Sequence, residues 1–365
     1  TEMLPRPSET LTDMVRQLRL LGGQAKLGDK ISYRAFEPAY RKEFDGHSAI
    51  ETIEERNLEG VATKVFKIRS AVPELGVETV SIVTEKGLVL EDTVAGIMVM
   101  RLEPKEMAQD VQYSNDVLVS NAALLDAPIE KPGNLIELAL TLRGPLSERH
   151  SFHDSRQALV TPADGGPFSF VGKRLAADAI APLTLPLADI PEDVLPWTKP
   201  STFVQSDNVK IVAKAREIAG DEKGAFAVAS KLCAWTHANV RSTFSARLSN
   251  ALEVLENPEG DCTEHSVLFV GLARAAGIPA REVAGLVYTE APRPGFYFHQ
   301  WAKVWIGTWV DMDPTFGQPL VDPTHIKLSE GDLLQQTQLI SIIGQVRVEV
   351  VHKKYDTPGT DAPDK

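Results

Sequence analysis

Five prolines between residues 182 and 200 divide this chain into two stretches of different periodicity, and that change constrains the fold more than any other feature. Pro182, Pro186, Pro191, Pro196 and Pro200 punctuate text with neither a helical nor a strand repeat, as expected of an extended connector. Ahead of it lie strand-like runs at 65–68, 79–84, 88–91, 97–102, 135–142 and 168–171, separated by turn residues, with Glu85-Lys86-Gly87 reading as a hairpin turn. Near the start, Leu11, Met14, Val15, Leu18 and Leu21 fall at helical spacing between a possible Ser8 cap and Gly22-Gly23, which reads as a short helix with a first strand as the alternative. The expected organisation is α+β: a mainly antiparallel β domain over 1–180, a proline-rich connector over 181–205, an α+β domain over 206–355, and a polar, disordered tail over 356–365.

Composition removes several classes of function. A formal net charge of −12 and an isoelectric point near 5.2 disfavour nucleic acid and acidic membranes as partners, because both require a concentrated basic face. No apolar run approaches the roughly 18 residues of a membrane span. The two cysteines, Cys233 and Cys262, sit in different local settings, so a disulfide framework is not expected. The opening run from Thr1 suits a trimmed start or one left by signal-peptide removal.

Helical patterns follow the prolines. Val209, Val212, Ala213, Arg216 and Ala219 form one, ended by Gly220, and Phe226, Ala229, Leu232, Cys233 and Thr236 form the apolar face of the next. Cys233 therefore reads as a small buried hydrophobe. Residues 260–279 read as a helix with both ends marked. Asp261 is placed to cap it, Glu264 to close a capping box, Leu268, Leu272 and Ala275 to form a buried stripe, and Gly277 with Pro279 to stop it. Cys262 then falls in the first turn, where unpaired N–H groups and the helix dipole favour a thiolate.

Further on, residues 296–305 and 309–313 read as two strands joined by a short turn at Gly307. His299, Trp301, Lys303 and Trp305 share one face of the first, and Trp309, Asp311 and Asp313 one face of the second, which brings His299 and Asp313 together. Nucleophile, base and orienting carboxylate are the parts that thiol catalysis needs. Spacing alone does not place Cys262 beside His299.

Gly260-Asp261-Cys262-Thr263-Glu264-His265, Gly277-Ile278-Pro279-Ala280-Arg281, His299-x-Trp301-x-x-Val304-Trp305 and Trp309-x-x-x-Asp313-Pro314-Thr315 together resemble the bacterial transglutaminase-like family, which has a papain-like cysteine fold. The resemblance spans about 209–316. It implies a cysteine-bearing helix packed on a small antiparallel sheet that carries the histidine and the aspartate, with Cys262, His299 and Asp313 as catalytic triad. It also implies a second oxyanion donor upstream of the nucleophile, for which Trp235, His237 and Asn239 are the candidates. One departure is Lys303, where many members have glutamate. The upstream β half loosely resembles modules that precede such domains in exported bacterial proteins, which points to the periplasm or the exterior and to a protein or envelope partner for that half.

The expected activity is cysteine-dependent hydrolysis of an amide or peptide bond through an acyl-thioester, acting on a protein or peptide substrate. Transamidation to an amine and a non-catalytic envelope binding or assembly role are the alternatives. Trp301, Trp305 and Trp309 are groove-lining candidates, although core packing explains strand aromatics equally well, and His265 is a candidate for lining the cleft or for packing. No cofactor or metal is expected. Cys262-x-x-His265 has zinc-like spacing but lacks a second pair, and His150-x-x-His153-Asp154 reads as a solvated loop. Asp311 is the rival to Asp313 as orienter; the Asp-Pro-Thr match favours Asp313.

Overall fold

The computed structural model describes residues 25–356, apart from 38–41, 59, 76, 95–97, 106, 108–120, 151, 162–165, 244–248, 332–335, 337–338 and 340–341. The helix expected at 8–21 and all of the expected tail except Asp356 lie outside the described residues. The chain divides into two compact units, Thr1–Ser114 with Thr337–Ile343, and Asn115–Gln336 with Gly344–Lys365.

Among its described residues the first unit holds six strands, β1 (Lys30–Glu37), β2 (Lys42–Leu58), β3 (Val61–Val72), β4 (Val77–Thr84), β5 (Val89–Val94) and β6 (Met98–Arg101). They pair antiparallel in sequence order, the simplest topology short turns allow. Ile50, Phe66, Ile68 and Val83 are buried together, with Ile31, Ile53 and Val89 packed against them. The β4–β5 turn closes through Gly87 at φ 81, whose N–H donates to the Thr84 carbonyl at 2.9 Å.

Strands β1 and β2 are absent from the periodicity reading, and their inward positions explain why. Phe44, Gly46, Ser48 and Ile50 point in while Asp45 and His47 point out, so the alternation is strict but half of its inner residues are not apolar. Tyr33 faces Gly46 across the pair, and a β-carbon at Gly46 would lie 2.5 Å from the Tyr33 ring. The aromatic ring fills the volume that the glycine leaves open.

The second unit contains β7 (Ala123–Leu124), β8 (Leu135–Arg143), β9 (Gln157–Val160), β10 (Phe168–Lys173), α1 (Val209–Ala219), α2 (Ala225–Asn239), β11 (Arg241–Ser242), α3 (Ala251–Glu256), β12 (Glu259–Gly260), α4 (Cys262–Ala275), β13 (Ala280–Thr289), β14 (Gly295–Trp305), β15 (Trp309–Met312), β16 (Ile326–Glu330) and β17 (Arg347–Tyr355). One sheet runs β17-β8-β10-β9; another runs β15-β14-β13-β16, with β7 added along β14; β11 and β12 form a short parallel pair. All four of these described helices contribute to the main core. Ile211, Leu232, Val254, Leu268 and Leu272 pack there with Ala302, Val304, Val310 and Met312 from the even-numbered face of β14 and β15.

Contacts thus divide the chain after Ser114, well before the expected boundary at 180/181. The reason is strand completion: β17, from the far end of the sequence, pairs along β8, and β7 pairs with Gly295 and Phe296 of β14. The proline-rich stretch 181–205 is not a free connector either. Val204 is buried in the main core, and Leu183, Leu185, Leu187 and Phe203 pack against it. Trp197 lies 5.0 Å from the Arg281 guanidinium, and Trp309 lies 4.4 Å from it. The segment is a strap bound to its own unit.

Candidate active site

Helix α4 begins as its sequence dictates. The Asp261 carboxylate accepts the Thr263 N–H at 2.8 Å, Glu264 accepts the Asp261 N–H at 3.0 Å, and both arms of the capping box are present. The buried stripe is broader than expected: every residue from Glu264 to Arg274 is buried, because other helices cover the side away from the sheet. Ser266 Oγ donates to the Gln300 carbonyl at 3.1 Å and ties the first turns of α4 to β14. Cys262, half-buried, heads this helix.

Strand β14 is paired with β13 along one edge. Its other edge pairs with β7 at 295–296 and with β15 from 302 to 305. Between those contacts the edge of β14 away from β13 has no strand partner at 297–301 among the described residues, and His299 sits in that gap. Its Nε2 lies 2.7 Å from Asp313 Oδ2. Burial disfavours the imidazolium, but the Asp313 charge and its hydrogen bond, with a further contribution from Cys262, outweigh it and raise His299 to about 10. Phe316 stacks on the imidazole at 4.8 Å with planes 9° apart.

Asp313 is fully buried and saturated. Its Oδ1 accepts the Thr315 and Phe316 N–H groups at 2.7 and 3.0 Å. Its Oδ2 takes His299 and also His325, whose Nε2 lies 3.0 Å away. Burial pushes the carboxyl upward, and the two imidazoles reverse that and hold it far below the ordinary range. His299, Asp313 and His325 bring ligand-type atoms within 4.8 Å of one another, yet each Nε2 is committed to the Asp313 carboxylate, so hydrogen bonding accounts for the cluster.

The rival Asp311 serves another purpose. It pairs with Arg156 Nε at 3.1 Å and accepts Trp301 Nε1 at 3.2 Å. Around it lies a buried ionic cluster. Lys303 and Lys327 each lie 2.6 Å from Glu330 Oε1, Lys327 also pairs with Asp154, and Arg281 pairs with Glu330. Lys303, the departure from the family pattern, is thereby neutralised within the framework. Burial and the neighbouring Lys327 lower it to about 8.

Several expected assignments change. Trp301 is fully buried and belongs to the framework rather than a groove. His265 is fully buried, with Nδ1 2.7 Å from the Asp261 carbonyl and Nε2 3.2 Å from that of Val240, so it does not line a cleft. Asn239 turns its amide back to the Trp235 carbonyl at 2.8 Å, and Trp235 packs against the main core beneath Lys214. His237 alone of the three upstream candidates reaches the Asp313 loop, with Nδ1 2.9 Å from the Thr315 carbonyl. In the stretch His150-x-x-His153-Asp154, His153 and Asp154 are exposed, as a solvated loop requires, and His150 is the exception. His150 is buried, and Arg156 donates to the His325 carbonyl at 2.7 Å. Cys233 is buried, as expected, and burial and the Asp313 charge push its thiol far up.

Sequence reasoning missed His325, Phe316 and Asp322. A signal was available, because Asp313-Pro314-Thr315 recurs as Asp322-Pro323-Thr324 immediately before His325. Both aspartates accept the N–H two residues on, at 2.7 and 2.8 Å.

Comparison with known proteins gives a family match over one segment. The transglutaminase-like superfamily matches residues 212–314, a span that contains Cys262, His299 and Asp313 and less than a third of the chain. No curated protein matches. Among solved structures, a proposed cysteine protease from Cytophaga hutchinsonii is 18% identical, covers 63% of this chain and 90% of its own, and has a TM-score of 0.39. The periplasmic domain of TgpA from Pseudomonas aeruginosa, bound to ethylmercury, is 16% identical with 56% and 94% coverage and a TM-score of 0.36. A proposed protease from Parabacteroides distasonis is 11% identical, covers 48% and 39%, and has a TM-score of 0.26. No helix among the described residues is long and apolar enough to cross a membrane. Residues 212–314 are a domain of the transglutaminase-like superfamily.

Proposed function

We propose that this protein is a cysteine-dependent hydrolase of amide or peptide bonds, with Cys262 as nucleophile, His299 as acid and base, and Asp313 as the residue that orients His299. The observation that carries this reading is the buried His299–Asp313 pair at 2.7 Å, with Cys262 near enough to help raise the same imidazole. Asp313 occupies Nε2, which leaves Nδ1 to serve the sulfur.

In this reaction the Cys262 thiolate attacks the carbonyl carbon, forming the C–S bond as the carbonyl π electrons move to oxygen. Collapse of the tetrahedral intermediate breaks the C–N bond, and the His299 imidazolium gives its proton to the departing amine. Neutral His299 then takes a proton from water, hydroxide attacks the thioester, and the acid product leaves with regeneration of the thiolate. The Cys262 N–H at the start of α4 is the first oxyanion donor. Phe316, stacked on the imidazole, keeps water from one face of the ring.

Profiling cleavage over a peptide and amide library, with Cys262→Ala as control, tests this. Loss of cleavage in the variant is expected; full retention would overturn the assignment. A labelled amine in the same assay separates hydrolysis from transamidation, since incorporation of label shows an amine resolving the acyl-enzyme. Export to the periplasm or beyond, with an envelope partner for the amino-terminal sheet, is the cellular part of the proposal. Fractionation of cells producing the protein checks the compartment.

A further inference from the structure

We propose that His325 is a positioning residue for this site, acting as a second imidazole on Asp313 that fixes the carboxylate and tempers its pull on His299. The proposal rests on the Cys262–His299–Asp313 reading and extends it beyond the segment matched by the superfamily, which ends at residue 314.

His325 is fully buried just ahead of β16. Its Nε2 lies 3.0 Å from the same Asp313 oxygen that holds His299. On its other side, Nδ1 lies 3.5 Å from Asp322 Oδ1, an ion-pair distance beyond good hydrogen-bond geometry. Asp322 is itself built in. Oδ1 accepts the Thr324 N–H and hydroxyl at 2.8 and 2.5 Å, and Oδ2 accepts Gln318 Nε2 at 3.0 Å. The backbone of His325 is held by Arg156 at its carbonyl. Trp301 meets the ring edge-on at 5.2 Å.

The charged and titratable groups around this imidazole are Asp313, Asp322, His299 at a ring separation of 6.1 Å, and Arg156, whose own charge is paired with Asp311. Two carboxylates against one neighbouring imidazole favour the imidazolium. Burial opposes it, and the hydrogen bond to Asp313 with the charges of Asp313 and Asp322 prevails, so His325 is held above its ordinary value. Two consequences follow for Asp313. With both oxygens engaged by donors from three segments, it cannot rotate away from His299. With a second cation on Oδ2, less of its charge acts on His299, which limits how tightly His299 retains its proton.

The test is the rate of Cys262 alkylation by iodoacetamide as a function of pH, on the full chain and on His325→Gln and His325→Leu, with thermal unfolding as a check on folding. Glutamine keeps a donor and removes the charge. The alkaline inflection, where His299 gives up its proton, is expected to rise by about half to one pH unit in His325→Gln. In His325→Leu the rate at pH 6 is expected to fall about tenfold, because His299 loses its fixed partner. Superimposable profiles for all three folded proteins overturn the proposal. If His325→Leu fails to fold, His325→Gln and the native protein decide. In native protein both His325 ring nitrogens should carry protons in 15N spectra at pH 7, and a neutral tautomer overturns the assignment. Wild-type Cys262 reacting at pH 6 no faster than a thiol in the denatured chain would instead remove the parent reading.

Discussion

Asp313 accepts four hydrogen bonds without exposing an atom, and this fixes what its substitution should do. Asp313→Asn keeps the shape but cannot stabilise the imidazolium and presents an N–H toward one of the imidazoles. A fall in kcat of roughly 10²–10⁴ is expected, with KM changed little. The pH profile gives an independent reading of the same interaction. His299 is raised to about 10, so its favourable contribution to stability is complete below its ordinary 6.5 and is lost as pH rises through about 10. The alkaline limb of kcat/KM should therefore lie near pH 10 in the wild type and drop toward neutrality in Asp313→Asn, as measured by initial rates from pH 5 to 11. Cys262, His299 and Asp313 were legible because each sits in a local pattern that states its surroundings: a capped helix, an alternating strand, a strand stopped by proline. His325 and Phe316 were not, because their roles exist only through contacts that the 313–325 loop makes when folded.

Helix α4 and the strands beside it show where local rules suffice and where they stop. Its ends follow from Asp261, Glu264 and Gly277, and removing the cap by Asp261→Ala should cost about 1 kcal/mol in urea unfolding. Gly260→Ala should be far worse, because its β-carbon would lie 2.3 Å from Cβ and Cγ of Glu264 and would displace the turn that carries Cys262. Strand β16 escaped detection for a physical reason: Ile326-Lys327-Leu328-Ser329-Glu330 looks half-solvated, yet Lys327 and Leu328 are both buried. The lysine is tolerated there because Asp154 and Glu330 supply its counter-charges, and Asp154 is 173 residues away. The same network predicts the effect of Asp311→Ala. Arg156 and Trp301 Nε1 each lose a buried partner, and a loss of about 3–5 kcal/mol is expected, read as a lower denaturation midpoint with unchanged slope. Acid should expose the same dependence gradually. Burial raises the Asp311 carboxyl, Lys327 and Arg156 more than reverse that, so its contribution is complete above the ordinary carboxylate value and fades progressively as pH falls below about 4, the last of it going only in strong acid.

At the scale of the whole chain, the unit that carries Cys262, His299 and Asp313 is assembled from pieces that sequence patterns assign elsewhere. The proline cluster suggested a boundary because proline interrupts both periodicities, but a strap lying on a core has the same composition as a linker crossing solvent. What distinguishes them is the burial of Ile180 and Val204 and the seating of Trp197 on Arg281, none of which a local pattern encodes. Strands β8, β9 and β10 read equally well as the end of an amino-terminal sheet; their true partner, β17, begins more than 170 residues after β10 ends, and a pairing that distant leaves no periodic trace. The two divisions predict different behaviour on truncation. A chain begun at residue 206 lacks the strap, the strand partners of β17 and β14, and the Arg156 that pairs with Asp311 and holds the His325 carbonyl. It should unfold without a cooperative transition and leave Cys262 no more reactive than a free thiol. A chain begun at residue 115 keeps all of these and should retain a cooperative transition and the wild-type alkylation profile. Urea titrations followed by circular dichroism, with iodoacetamide labelling of the same samples, separate the cases. Cooperative unfolding of the shorter chain would mean that the 115–205 segment decorates the site without building it.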